Sequence, residues 1–216
     1  MQQDTILIPQ MNDTRILYLS GDVENTNISE VCSSILSIND TDRKGMEKFK
    51  SYDLVPIQLH VQSYGGTIDD MWALIDIIES SITPVITYCS GYCMSAAALI
   101  FLAGHHRVMY PHSSIMFHQM LAGTFGKFED LKLEQKQFDA MHKGIIKYIK
   151  SHTKLKKKFF HKMVDLKQDM YLTAKQCLKH GVCDKIINNT DTRDCFREQL
   201  AQLVNQEIEL EDFENE

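Results

Sequence analysis

The chain has 216 residues, 44% of them hydrophobic and 24% charged, with a formal net charge of −6. That length can bury the core of one domain, and the acidic balance argues against a globally basic nucleic-acid binder. No apolar run approaches the roughly 20 residues that span a bilayer, and no basic start leads into an apolar stretch, so neither a membrane span nor a signal peptide is expected.

Residues 1–14 read as a short N-terminal segment. Arg15 to Leu19 is a β-rich run closed by Ser20-Gly21, and Ile28, Val31, Cys32, Ile35 and Leu36 then recur at helical spacing. Residues 39–56 are polar and charged, with Gly45 and Pro56, and read as a surface excursion. Ile57 to Val61 alternates as a half-buried strand should, and Ser63-Tyr64-Gly65-Gly66 is a turn. Ile68, Met71, Trp72, Ile75 and Ile78 share one helix face before Pro84. A strand over 85–89, a small-residue helix over 95–103, and short strands over 108–110 and 115–117 follow. This alternation predicts an α/β fold with crossover units.

Beyond a loop at 121–126, a long helix is predicted over 128–151 and a lysine-rich one over 154–164. Residues 143–167 hold nine lysines against one acid, Asp165, which suits a solvated face or a docking patch. Thr173 and Gln176 have the spacing of a capping box, Gly181 ends that helix, and 182–187 is a last strand. A helix over 192–203 and an acidic tail close the chain. The six cysteines form no C-x-x-C pair, and their spacing is poor for zinc. They read as reduced core thiols of a cytoplasmic protein.

Four segments could carry chemistry. In CSGYCMSAAALIFLAG, residues 89–104, a strand ends, a glycine turns and Ser95 opens a helix whose first N–H groups are unpaired. Ser95 there is either a nucleophile facing backbone donors or an ordinary helix N-cap. The glycine pair at 65–66 either presents N–H groups to an anion or peptide edge or is a plain tight turn. His118 ends a β-rich run, where an imidazole can act as a general base at neutral pH. His105 and His106 look solvated, and His142, His152 and His161 look like surface residues among lysines. Asp169 precedes a strand-like Met-Tyr-Leu and could orient an imidazole, with Asp165 as its competitor.

In that order the four segments resemble the proteolytic subunit of the ATP-dependent Clp protease, from about Arg15 to Ile187. QSYGG stands where that family has Asn-Ser-Pro-Gly-Gly, GYCMSAAALIFLAG matches its nucleophile segment, FHQM its His-Gln motif, and DMYLTAKQC with HGVCDKI its closing segment. The resemblance implies a crotonase-like ββα spiral with a protruding handle helix at about 128–151. The peptidase domain would span 15–190, followed by a C-terminal helix and acidic tail at 191–216. It implies a serine endopeptidase with Ser95 as nucleophile, His118 as base and Asp169 as third member. Gly66 and Ala96 would donate to the oxyanion, and Thr67, Ile68, Leu121 and Ala122 would flank an extended polypeptide substrate.

The same resemblance implies a homo-oligomer of two stacked seven-membered rings served by a Clp-type AAA+ unfoldase. No metal is needed. ATP would be spent by that partner, since the chain has no G-x-x-x-x-G-K-[ST] loop. Neither nucleic acid nor membrane is expected as a partner. Three departures stand out: Tyr64 replaces the family's Pro before the glycine pair, Ala96 the Met after the nucleophile, and Met120 the Pro after His-Gln. A non-catalytic ring subunit of a mixed complex and a phage maturation-type protease remain as alternatives. An acyl-CoA hydratase on the same fold would give no reason for the serine, histidine and aspartate set.

Overall fold

The computed structural model describes residues 15–187. The N-terminal segment, the helix expected over 192–203 and the acidic tail therefore lie outside the described residues. Four parallel strands come first: β1 (Ile16–Ser20), β2 (Ile57–Ser63), β3 (Val85–Met94) and β4 (His106–Met109). Helices α1 (Asn25–Lys48), α2 (Ile68–Glu79) and α3 (Ala96–Leu102) make the crossovers between them. The alternation read in β2 is real. Ile57, Leu59, Val61 and Ser63 are buried, while His60 on the other face stacks between Tyr18 and Tyr88 of the neighbouring strands.

Strand β3 has two sets of partners. Ile86 to Cys89 pair with β4, whereas Tyr92 to Met94 pair with β5 (Ser114–Phe117). Gly91, with φ of 81°, sits between the two stretches. On its other side β5 pairs antiparallel with β6 (Met170–Thr173), and β7 (Lys185–Ile186) extends the parallel sheet beside β4. The buried core runs through Leu19, Leu59, Leu74, Ile78, Ile100 and Phe101. The five described cysteines are all buried and free, as core-filling thiols should be. Burial pushes the Cys183 thiol up to about 11.

The surface excursion expected over 39–56 is corrected. Helix α1 continues through most of it, to Lys48. Two of its polar residues, Asn39 and Asp42, misled because they face inward, while Asp40, Thr41, Arg43 and Lys44 are exposed. Asp42 is 0% exposed and accepts hydrogen bonds from Arg15 Nη1 (2.8 Å), Tyr52 Oη (2.7 Å) and Thr83 Oγ1 (2.5 Å). Asn39 receives the Ser81 hydroxyl at 2.9 Å and the Thr83 N–H at 3.2 Å. The Arg15 guanidinium, against desolvation, holds the Asp42 carboxyl down at about 2. A carboxylate depressed in the folded state contributes stability above its unfolded pKa, near 4, and loses it as pH falls from there through about 2. Asp42→Asn should therefore cost about 2–3 kcal/mol at pH 7 and flatten stability between pH 4 and 2. Denaturant titrations at the two ends of that window check this.

Helix α4 (Phe128–His152) divides into two halves. Only Ile145 and Ile149 are buried in this chain's own core. Tyr148 donates a hydrogen bond to Glu79 at 2.9 Å, and Arg107 donates to the His152 carbonyl at 2.8 Å, so the C-terminal half is docked. In the first half Phe128 and Leu133 are exposed. His142 and His152 are less superficial than their lysine neighbours suggested: both ring nitrogens of His142 are buried, and His152 is half-buried beside Glu79. The lysine-rich stretch forms one short helix, α5 (Lys157–Phe160), and a π-helical turn at His161–Asp165. The capping box of Thr173 and Gln176 opens α6 (Ala174–Lys179) as read. No helix among the described residues is long and apolar enough to cross a membrane.

Candidate active site

The turn from β3 into α3 positions Ser95. Its φ of 55° and ψ of −124° are unusual for a residue with a side chain, and such strain is kept only where the surroundings hold it. Two backbone bonds do so here: Ser95 N–H donates to Met116 of β5 at 2.9 Å, and the Ser95 carbonyl accepts from Ala98 N–H at 3.0 Å. The residue occupies the N-cap position, but its side chain makes no capping hydrogen bond. Instead the Ser95 hydroxyl lies 2.7 Å from His118 Nε2. His118 follows the last residue of β5, and β3 and β5 are paired through Met94 and Met116, so the contact is set by neighbouring strands.

The glycine pair reaches the same place from β2. Gly65 has φ of 104°, and a Cβ there would lie 2.7 Å from the Ser95 Cβ and 3.0 Å from Ala96 N. Gly65→Ala should displace the turn carrying Ser95 and lower peptide hydrolysis about 100-fold, the cost of a misplacement near 1 Å. A kinetic comparison of the two proteins tests this. Among the described turn and cap hydrogen bonds around the site, none uses Gly66 N–H or Ala96 N–H. The partners of Gly65 carbonyl and Thr67 N–H are both on Val23, each at 2.8 Å, which anchors the loop from behind.

A cavity of about 310 Å³ opens beside Ser95 and His118. Gly66, Ala96, Ile68 and Leu121 line it, over a floor that includes Met71 and Leu99. Two expected substrate-binding residues stand outside it. Thr67 spends its N–H on Val23 and its hydroxyl on Val23 and Asp70, and Ala122 lines an adjoining cavity with Phe138 and His142. Asp169 comes just before β6. Because Phe117 pairs with Met170, it stands one register step across from His118. It is exposed, and among the described hydrogen bonds none joins it to His118. Asp165 is bound elsewhere, 2.6 Å from His161 Nδ1. Among the described residues no cluster of three histidine, cysteine or acidic side chains could hold a metal. Tyr64, which stood out in the sequence as a departure at the resembled family's proline position, also lines the cavity.

A hydroxyl against an imidazole, two backbone donors and an apolar recess can together perform acyl transfer: a proton leaves the serine as it attacks, and the oxyanion that forms meets donors already in place. The comparisons give the family. Residues 2–190 match the family model described as Clp protease, so the chain belongs to the Clp protease family, a family of peptidases. It is similar to the ATP-dependent Clp protease proteolytic subunit of Carsonella ruddii, 27% identical over 183 residues, 84% of this chain and 88% of that one. It is also similar to the ATP-dependent Clp protease proteolytic subunit 2 of Treponema denticola, 30% identical over 188 residues, 86% of this chain and 88% of that one. A mutant ClpP1 from Listeria monocytogenes shares the fold, with a TM-score of 0.68 and 22% identity over 83% of this chain and 94% of that one.

Proposed function

We propose that the chain is a serine endopeptidase, the proteolytic subunit of a self-compartmentalising, ATP-dependent protease that degrades unfolded polypeptides. The observation that carries this reading is the 2.7 Å contact between the Ser95 hydroxyl and His118 Nε2, at a strained turn facing an apolar cavity. As Ser95 Oγ bonds to the scissile carbonyl carbon, its proton passes to His118 Nε2. Gly66 and Ala96 N–H groups stabilise the oxyanion. The C–N bond then breaks and the proton goes to the leaving amine. His118 next deprotonates a water that attacks the acyl-enzyme, and Ser95 is released. Asp169 accepts from His118 Nδ1–H during these steps. Ile68 and Leu121, which both line the cavity, flank the substrate.

Assembly belongs to the same reading. The exposed Phe128 and Leu133 on the first half of α4, with Phe125 before them, are covered when two seven-membered rings stack through this helix. A Clp-type AAA+ unfoldase spends the ATP and delivers the chain to be cut, and the setting is cytoplasmic. A second reading, a non-catalytic subunit of a mixed ring, has one observation in its favour: Asp169 is exposed and not bonded to His118. Labelling with a fluorophosphonate, followed by mass-spectrometric mapping, separates them. The peptidase reading expects the adduct on Ser95. An unlabelled Ser95 in assembled rings supports the non-catalytic subunit.

A further inference from the structure

Tyr64 stands where the resembled family has proline, and the residue is 63% exposed although it lines the same cavity as Ser95 and His118. An exposed tyrosine at the tip of a turn is ordinarily free to move. This one is not. It stacks on Tyr92, with ring centroids 4.2 Å apart and planes 27° from parallel. Both rings grow from backbone that is already fixed. Ser63 pairs with Cys93 across β2 and β3, and Tyr92 pairs with Ser114 of β5. Tyr92 is half-buried, so one side of the pair is anchored in the sheet while the exposed Tyr64 lines the cavity. Leu121, which lines the same cavity, is 83% exposed.

We propose that Tyr64, held by Tyr92, is a specificity-determining residue that selects polypeptides with an aromatic side chain adjoining the scissile bond. The inference rests on the serine-peptidase reading above and deepens it. The physical basis is the preference of aromatic rings for offset-stacked or edge-to-face partners, beyond the area they bury. A ring immobilised beforehand loses little freedom when a substrate ring settles against it. A side chain that merely filled the space of a proline would influence stability and leave substrate preference alone.

The test uses internally quenched peptides that carry Phe, Leu or Ala in turn on each side of the scissile bond, with the wild-type protein and the variants Y64A, Y64F and Y92A. Wild type should favour Phe over Ala and over Leu at one of the two positions. Y64A should shrink the Phe-to-Ala ratio of kcat/KM roughly three- to tenfold, the size of one aromatic pair, chiefly through KM. Y64F should keep the ratio, and Y92A should shrink it in part. An unchanged ratio in Y64A overturns the proposal, as does a wild type without aromatic preference. Leu accepted as well as Phe overturns the aromatic class. If wild type cuts no peptide and its Ser95 takes no fluorophosphonate, the peptidase reading falls and this proposal with it. Labelling of Ser95 with an unchanged ratio sinks this proposal alone.

Discussion

Ser95→Ala will reduce peptide hydrolysis by about 10⁴-fold or more while the protein still folds and assembles, because without Oγ no acyl-enzyme forms. The magnitude follows from the arrangement. What survives is the oxyanion pair and the binding cavity, which in triad enzymes leave only a small residual rate. The fold should tolerate the change. Ser95 already adopts φ of 55°, alanine pays a similar cost there, and the backbone bonds to Met116 and Ala98 do not involve the side chain. Hydrolysis within tenfold of wild type, in protein free of contaminating protease, would sink the proposed mechanism. Unchanged native mass alongside lost turnover would show that the loss is chemical.

The two aspartates should behave very differently. Asp169→Asn will slow turnover by as much as ~10⁴-fold, because an amide opposite His118 favours the wrong imidazole tautomer. Asp165→Asn will change turnover less than threefold. Its carboxylate is exposed and paired with His161 on the π-helical turn, a surface contact worth little. Rates for both variants, with Ser95 labelling as a check on the fold, decide the matter. A reversed order would mean that the third member was assigned one helical turn out of place.

The sequence reading reached the strand and helix order because β2 alternates cleanly and α2 keeps one apolar face. Ser95, Gly66 and His118 were legible because each sits at the end of a strand, where a glycine or a histidine breaks the apolar pattern. What escaped was polarity turned inward. Asn39 and Asp42 look like solvent-facing residues until Arg15, Tyr52 and Thr83 arrive from distant segments. The long helix expected over 128–151 is also divided in a way periodicity cannot show. Ile145 and Ile149 belong to this chain's core, and Phe128 and Leu133 do not. Thr67 and Ala122 fell outside the cavity because flanking it in sequence does not fix which way a side chain turns.

Strand β3 changes partners at Gly91, and that has a mechanical consequence. Ser95 directly follows β3 and His118 directly follows β5, so their separation is gauged by three rungs of pairing, Tyr92 with Ser114, Cys93 with Ile115 and Met94 with Met116. Successive side chains on a strand point to opposite faces, so a slip of β5 by a single residue would turn His118 away from Ser95 with both side chains intact. Activity and the amide-exchange protection of Ser95 N–H, which is donated to Met116, must therefore rise and fall together. Fraying of the short strand after Ser113 would therefore part Ser95 from His118 while leaving both side chains intact.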